Sequence, residues 1–266
     1  MQKTIISHFY NEEYMLPFWI KHHYNIFDHG ILINHGSTDA SVSIIKSMAP
    51  DWQIVDSNLK VFDPILTDFE VQQIEVKTKG WKICLNVSEF LIGDLNNAIT
   101  CAIKNNIRAL STKSIIMIDP LPHILPSPSL HLVKQKPCGI IEGKFYDLLI
   151  RPNRLSKCVR YLLGMKVKYS FRSRLLHNHM IGSYMVGRHE WNHSDIKSNS
   201  LYVAWYGYSP WNDSFIQRKI SFSQKSPPDL NNKFGKQHLL NHKQLDSIYK
   251  THLLFYRIFG ISLNNL

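Results

Sequence analysis

Over the first 120 positions the hydrophobic pattern switches repeatedly between a period near two and a period near 3.6. Short apolar or alternating runs at Thr4–Phe9, Gly30–Asn34, Gln53–Asp56, Lys82–Leu85 and Ser114–Ile118 predict strands. Amphipathic stretches at Glu12–Asn25, Ser41–Met48, Asp68–Lys77 and Leu95–Leu110 predict helices. Strands alternating with helices in this way point to an α/β fold with a mostly parallel central sheet. After this region the pattern loosens. Pro120–Pro128 reads as a proline-rich loop, residues 130–190 as short strands rich in Arg, His and Tyr, and Ser223–Lys236 as a loop too long for a plain connection.

Polar residues cluster where the predicted strands end. Asn11 can cap the first helix, with Glu12 and Glu13 in its opening turn, and Ser37, Thr38 and Asp39 can cap the second. Ligands of open parallel sheets bind at the carboxyl ends of the strands, so residues 8–13, 34–39, 56–58 and 86–89 are expected to line one crevice. The plain alternative is a set of capped helices and ordinary turns. Taken singly, no one of these segments outweighs it.

Charge narrows the partner. Lys and Arg number 31 against 20 Asp and Glu, a net charge of +11, with fourteen histidines besides. Such a balance fits an anionic ligand. Basic residues are dispersed with no run of five, which favours a phosphate-binding cleft or an anionic membrane surface over nucleic acid. Cys84, Cys101, Cys138 and Cys158 form no Cys-x-x-Cys pair, so structural zinc and a disulfide framework are not expected. Residues 1–8 read as a strand that starts at once, and no window holds eighteen apolar residues. The expected setting is cytoplasmic, with peripheral contact at the inner face of a membrane allowed by the charge.

The segments gain meaning in order. The Asn11-Glu12-Glu13 start, Leu16-Pro17-x-Trp19 with His22-His23, Gly36-Ser37-Thr38-Asp39, Asp68-x-Glu70 and Trp81 followed by Phe90-Leu91 resemble the family 2 glycosyltransferases. More closely, they resemble the branch related to glycosyltransferase family 92. The resemblance covers about the first 95 residues well and the rest loosely. It implies a GT-A-like α/β sandwich, the fold of nucleotide-diphospho-sugar transferases, built as a single domain over 1–266. Residues 1–118 would form the nucleotide-binding half, and 119–266 the acceptor-binding half with C-terminal helices. It also implies transfer of a sugar from a nucleotide diphosphate donor to a glycan, polysaccharide precursor or lipid-linked acceptor. A catalytically weak or inactive relative, binding glycan or nucleotide sugar as a module, is the alternative.

Under this resemblance Asn11, Glu13, Asn34, His35, Ser37 and Asp39 lie by the donor, and Asn86 and Ser88 occupy the place of the family's Asp-x-Asp motif. That motif binds the donor diphosphate through Mn²⁺ or Mg²⁺. Here both aspartates are replaced, in Asn86-Val87-Ser88-Glu89-Phe90, and the family's Asp-Asn or Asp-Asp before Gly-Ser becomes Asn34-His35, without the acidic base-binding residue. A neutral amide and hydroxyl are poor substitutes at a divalent ion. Two repairs are open: Glu89 with a late histidine, His238, could hold the cation, or basic residues could neutralise the diphosphate without it. The second draws on Arg172, Arg174, Arg188, Arg218, Lys219, Lys225 and Lys236, of which Arg218 and Lys225 are assigned to the donor. Arg174, His177, Arg188, Trp205 and Trp211 are assigned to the acceptor. Glu190, after Gly187-Arg188-His189, is taken as the catalytic base.

Overall fold

The computed structural model describes residues 1–143, 159, 162–163, 171–221 and 240–266. Its N-terminal part follows the alternation: β1 Lys3–Phe9, α1 Leu16–His23, β2 His29–Asn34, α2 Ser41–Met48, β3 Gln53–Asp56, α3 Pro64–Lys77 and β4 Trp81–Cys84. Then come β5 Glu89–Ile92, α4 Leu95–Lys104, β6 Ala109–Ile118, α5 Leu132–Gln135, β7 Cys138–Ile141, β8 Leu175–His177 and β9 Ile196–Tyr208. Helices α6 Asp213–Ser221 and α7 His242–Phe259, a short β10 Ile261–Ser262 and a 3₁₀ turn complete the described part.

Among the described residues one ten-stranded sheet runs β10-β7-β6-β8-β4-β1-β2-β3, with β9 beside β6 and β5 beside β9. β3, β2, β1 and β4 are parallel, as the crossover pattern requires. β8 joins the two parts of the sheet, antiparallel to β4 on one side and to the start of β6 on the other. The result is an α/β fold whose central strands are parallel and whose other edge is mixed.

Alternation along β1 decides which helix covers which face. Ile5 and Phe9 pack with Trp19, Leu32 and Ile45 in the larger core. Ile6 packs with Ile33, Cys84 and Val71 in a smaller one, on the face that α3 covers. α1 is fastened to β5 by polar contacts as well. Trp19 Nε1 donates to the Glu89 carbonyl at 2.9 Å, the Leu91 amide donates to His23 Nε2 at 3.1 Å, and His22 Nε2 lies 2.7 Å from the Leu91 carbonyl. Trp19 and His22-His23 thus orient the strand that carries Glu89.

Several expectations change, among them the starts of α3 at Pro64 and of β6 at Ala109. The first helix starts at Leu16, with Pro17 in its opening turn, and Asn11 does not cap it: Asn11 takes a left-handed backbone, φ 49°. The stretch 95–110 is helical only to Lys104, because Asn106 turns left-handed (φ 55°) and the chain re-enters the sheet at Ala109. Residues after Asn86 are a turn into the separate strand β5, which pairs antiparallel with β9. The Ser223–Lys236 loop lies outside the described residues.

Candidate active site

The ends of β1, β2 and β4 open on a cavity of about 610 Å³, within the usual range for small-molecule sites. His8, Tyr10, Glu12 and His35 come from the first two strands and their loops, and Asn86, Ser88 and Glu89 from the turn after β4. Phe171, Arg172, Arg188, His189, Trp205, Tyr208, Arg218 and Lys219 close the other side. The expected crevice is met in part: residues from 8–12 and 86–89 line the cavity, His35 alone does so from 34–39, and 56–58 does not. The Ser57 hydroxyl is engaged by His35 and Glu70.

The loops after β1 and β2 bind chiefly to one another. Asn11 Oδ1 accepts from the Thr38 amide at 2.8 Å, and the Asn11 amide donates to Ser37 Oγ at 3.0 Å. The Glu13 amide donates to Asp39 Oδ2 and Glu13 Oε2 accepts from the Ala40 amide, both at 3.0 Å. Asn34 joins the Ser37 amide to Asp56. Asn11, Glu13, Asn34, Ser37 and Asp39 are absent from the cavity lining, and of the donor residues expected in these loops His35 alone reaches it.

Each carboxylate of the described lining is held by an arginine. Arg174 grips Glu89 with both arms of its fork, Nε to Oε2 at 2.8 Å and Nη2 to Oε1 at 2.7 Å, with both side chains 1% exposed. Arg218 holds Glu12 in the same bidentate way at 2.5 Å. Arg188 pairs with Asp68 and also donates to Asn86 Oδ1 at 3.1 Å. Burial raises the Glu12 carboxyl, and Arg218 draws it back down.

Lys219 differs from these. Its Nζ sits 5.6 Å from the centroids of Trp205, Tyr208 and Phe215 and has no carboxylate or carbonyl partner among the described residues. Burial, with Arg218 and Arg172 nearby, lowers it to about 7. Arg172 lies 3.9 Å above the Trp205 ring while pairing with Glu142 at 2.9 Å. Among the described lining residues Lys219 is thus the one lysine or arginine with no carboxylate within ion-pair distance, and it stands on an aromatic floor. Such a surface suits an anionic ligand carrying a flat or ring-shaped group.

Several expected roles are corrected. Glu89 does not offer a metal ligand position, because both its oxygens receive the Arg174 fork and Oε2 also accepts from the Asn86 amide at 2.9 Å. With only the Asn86 amide and the Ser88 hydroxyl beside it, the 86–89 turn does not fit Mn²⁺ or Mg²⁺. Arg174 is fully buried behind Glu89, and its third contact is to the Gly187 and Arg188 carbonyls, so it supports the site without reaching an acceptor. His177 is buried outside the lining, held by Glu75 and Tyr184 at 3.2 Å each. Trp211 is a core ring stacked on Tyr249 at 4.4 Å. Glu190 is exposed and outside the lining. Lys225 and His238 lie outside the described residues. Asn86, Ser88, Arg188, Trp205 and Arg218 do line the cavity.

His8, Asp68 and His189 line the cavity without a site role of their own from the sequence, and Lys219, expected only as one of several basic residues, lines it too. For His8 a signal is present in the two-residue spacing from the buried Ile6, and for Lys219 in its position one helical turn past Phe215.

No protein-family model matches the chain, and no curated protein sequence matches it. Among solved structures, glucosyl-3-phosphoglycerate synthase from Mycobacterium tuberculosis, in complex with Mn²⁺, UDP and glucosyl-3-phosphoglycerate, is similar at TM-score 0.38 and 13% identity. That similarity covers 69% of this chain and 59% of the synthase, less than two thirds of its length. The same enzyme with Mg²⁺ and UDP gives TM-score 0.38 and 12% identity over 69% and 58%. S. aureus TarS 1-349 gives TM-score 0.38 and 10% identity over 97% of this chain and 72% of that one.

Proposed function

We propose that the chain is a GT-A-like glycosyltransferase that binds a nucleotide diphosphate sugar in the cavity at the ends of β1, β2 and β4. The single observation that carries this reading is Lys219, an amine with no carboxylate within ion-pair distance among the described residues, set among aromatic rings in a cavity of about 610 Å³. The ordered motifs of the first 95 residues support it. In this reading residues 1–118 hold the nucleotide and the described residues after 118 close over the diphosphate and face the acceptor, a glycan, polysaccharide precursor or lipid-linked acceptor. Lys219 and Arg172 neutralise the diphosphate in place of a metal at 86–89, and Ser88 and Asn86 hydrogen-bond it. None of the described helices is long and apolar enough to cross a membrane; contact with an anionic membrane rests on charge alone.

A second reading has its own observation. All three carboxylates of the described lining are paired with arginine, which leaves none poised to take a proton from an acceptor hydroxyl. This favours a binding module for nucleotide sugars without turnover.

Thermal unfolding with UDP-, GDP- and CMP-sugars, with and without Mn²⁺, combined with an assay for donor consumption, separates the readings. A ligand at a hundred times its dissociation constant adds about 2.7 kcal/mol. Stabilisation with turnover supports the transferase, and stabilisation without turnover supports the module. No response to any donor sinks both.

A further inference from the structure

The floor of the cavity gathers three metal-ligating side chains from separate elements. His8 stands two residues past Ile6 on β1, and His35 two past Ile33 at the end of β2; both isoleucines belong to the core that Val71 of α3 completes. Side chains two apart on a strand share a face, so both imidazoles turn toward α3. There they meet Glu70. The ligand atoms of His8, His35 and Glu70 all lie within 4.8 Å of one another, and His8 Nε2 is 3.8 Å from Glu70 Oε2.

No hydrogen bond between His8 and Glu70 accounts for this convergence. The His8 ring stands beside the Glu70 carboxylate. Its Nε2 is buried without a hydrogen bond, and 3.8 Å is too long for one to Glu70. What remains is a buried ring nitrogen without a hydrogen bond, beside a carboxylate. A histidine binds a metal ion through such a ring nitrogen.

The surroundings act as an outer shell. Ser57 Oγ donates to Glu70, at 2.8 Å from Oε2 and 3.0 Å from Oε1, and lies 3.0 Å from His35 Nδ1. With its proton directed to Glu70, the hydroxyl accepts Nδ1–H of His35, which selects the tautomer whose Nε2 carries the lone pair. The Asn58 amide adds 2.8 Å to Glu70 Oε1 and orients the carboxylate further.

We propose that His8, His35 and Glu70 bind one divalent transition-metal ion, Zn²⁺ in preference to Mg²⁺, at the floor of the cavity. Two imidazoles and one carboxylate suit zinc or cobalt, whereas magnesium takes oxygen ligands. Ligands at about 2.0–2.2 Å from a shared ion stand closer together than the widest spacing here, so the cluster contracts slightly on binding. His8 and His35 line the cavity, so the remaining coordination position faces whatever occupies it and takes an oxygen ligand. The site is distinct from the 86–89 turn and does not depend on the cavity's substrate being a nucleotide sugar.

The test uses the full chain, stripped with chelator and titrated with ZnCl₂ alone by calorimetry and with CoCl₂ alone by visible absorption. One tight equivalent and cobalt d–d bands are expected, with no saturable response to MgCl₂. His8→Ala and Glu70→Gln should each weaken zinc binding at least about tenfold, with circular dichroism unchanged. Zinc affinity untouched by both substitutions, or magnesium binding as well as zinc, overturns the proposal, as does a wild-type chain that takes up no zinc. Should His8→Ala fail to fold, X-ray absorption of the zinc-loaded wild type decides. Two imidazole nitrogens and a carboxylate oxygen uphold the site, and a shell without histidine overturns it.

Discussion

The loops after β1 and β2 and the wall from 171 to 219 both border the cavity, yet they satisfy their polar groups in opposite ways. In the loop pair Asn11, Glu13, Asn34, Ser37 and Asp39 are bonded to each other and to neighbouring backbone. In the wall Lys219 lines the cavity with no hydrogen-bond or ion-pair partner among the described residues, and Ser88 lines it from the turn after β4. A polar motif at a strand end therefore marks order more readily than contact. Ligand chemistry is supplied by side chains the fold leaves unsatisfied.

The sharpest break of this comparison is Arg174→Ala. It belongs to the wall in sequence, but its fork is bonded as fully as the loop residues are. Removing it leaves Glu89 buried and unpaired, and urea unfolding should show a loss of about 3–5 kcal/mol. A loss below about 1 kcal/mol, the range of exposed pairs, would place Glu89 in contact with solvent.

Asn11→Ala tests the loop side. It removes the bonds to Thr38 and puts alanine at φ 49°, so a loss of about 1–2 kcal/mol is expected. UDP affinity, measured by calorimetry, should stay within about twofold, since the roughly 1.4 kcal/mol of a tenfold change has no contact here to come from. A larger drop would return Asn11 to the ligand.

Lys219→Met should do the reverse, weakening UDP binding about tenfold, or roughly 1.4 kcal/mol, with stability unchanged or slightly raised. Unaltered affinity would remove Lys219 from the site.

The smallest effect is in pH. Lys219 titrates near 7 in the folded chain, whereas an unfolded lysine titrates at about 10.4. Between these values the unfolded chain binds the extra proton, so this group's contribution to stability rises with pH from about 7 upward and is least favourable below it. UDP binding moves the other way. As pH climbs through about 7 the amine loses its charge, and wild-type affinity should fall relative to Lys219→Met, whose profile lacks that component. Parallel profiles would show that the lysine is not near the phosphates.

The parallel half of the fold was legible because burial there is periodic. Ile5 and Ile6 face opposite cores, and the α2 and β3 boundaries emerge where the pattern puts them. The end of α4 was hidden because Ala109 and Leu110 continue the helical apolar pattern past the Asn106 turn. β5 was hidden because Asn86–Ser88 resembles a strand end and Glu89 looks like a surface carboxylate. The arginines were legible as a basic group, but their partners were not. Glu89 and Arg174 stand 85 residues apart, Asp68 and Arg188 120, and Glu12 and Arg218 206, separations that local pattern does not encode. Pairing converts candidate ligands into supports, so the role of Glu89 follows from a neighbour that no local window contains.

β8 carries a consequence for assembly. This three-residue strand fills the gap between Lys82–Ile83 of β4 and Ala109–Ser111 of β6, yet it follows them by more than sixty residues. Until it arrives, β4 and the start of β6 each present an open hydrogen-bonding edge, a surface prone to association with other chains. The sheet is sealed at its middle after much of its rim has been made, so a ribosome-bound chain ending before residue 175 is the form most in need of a chaperone.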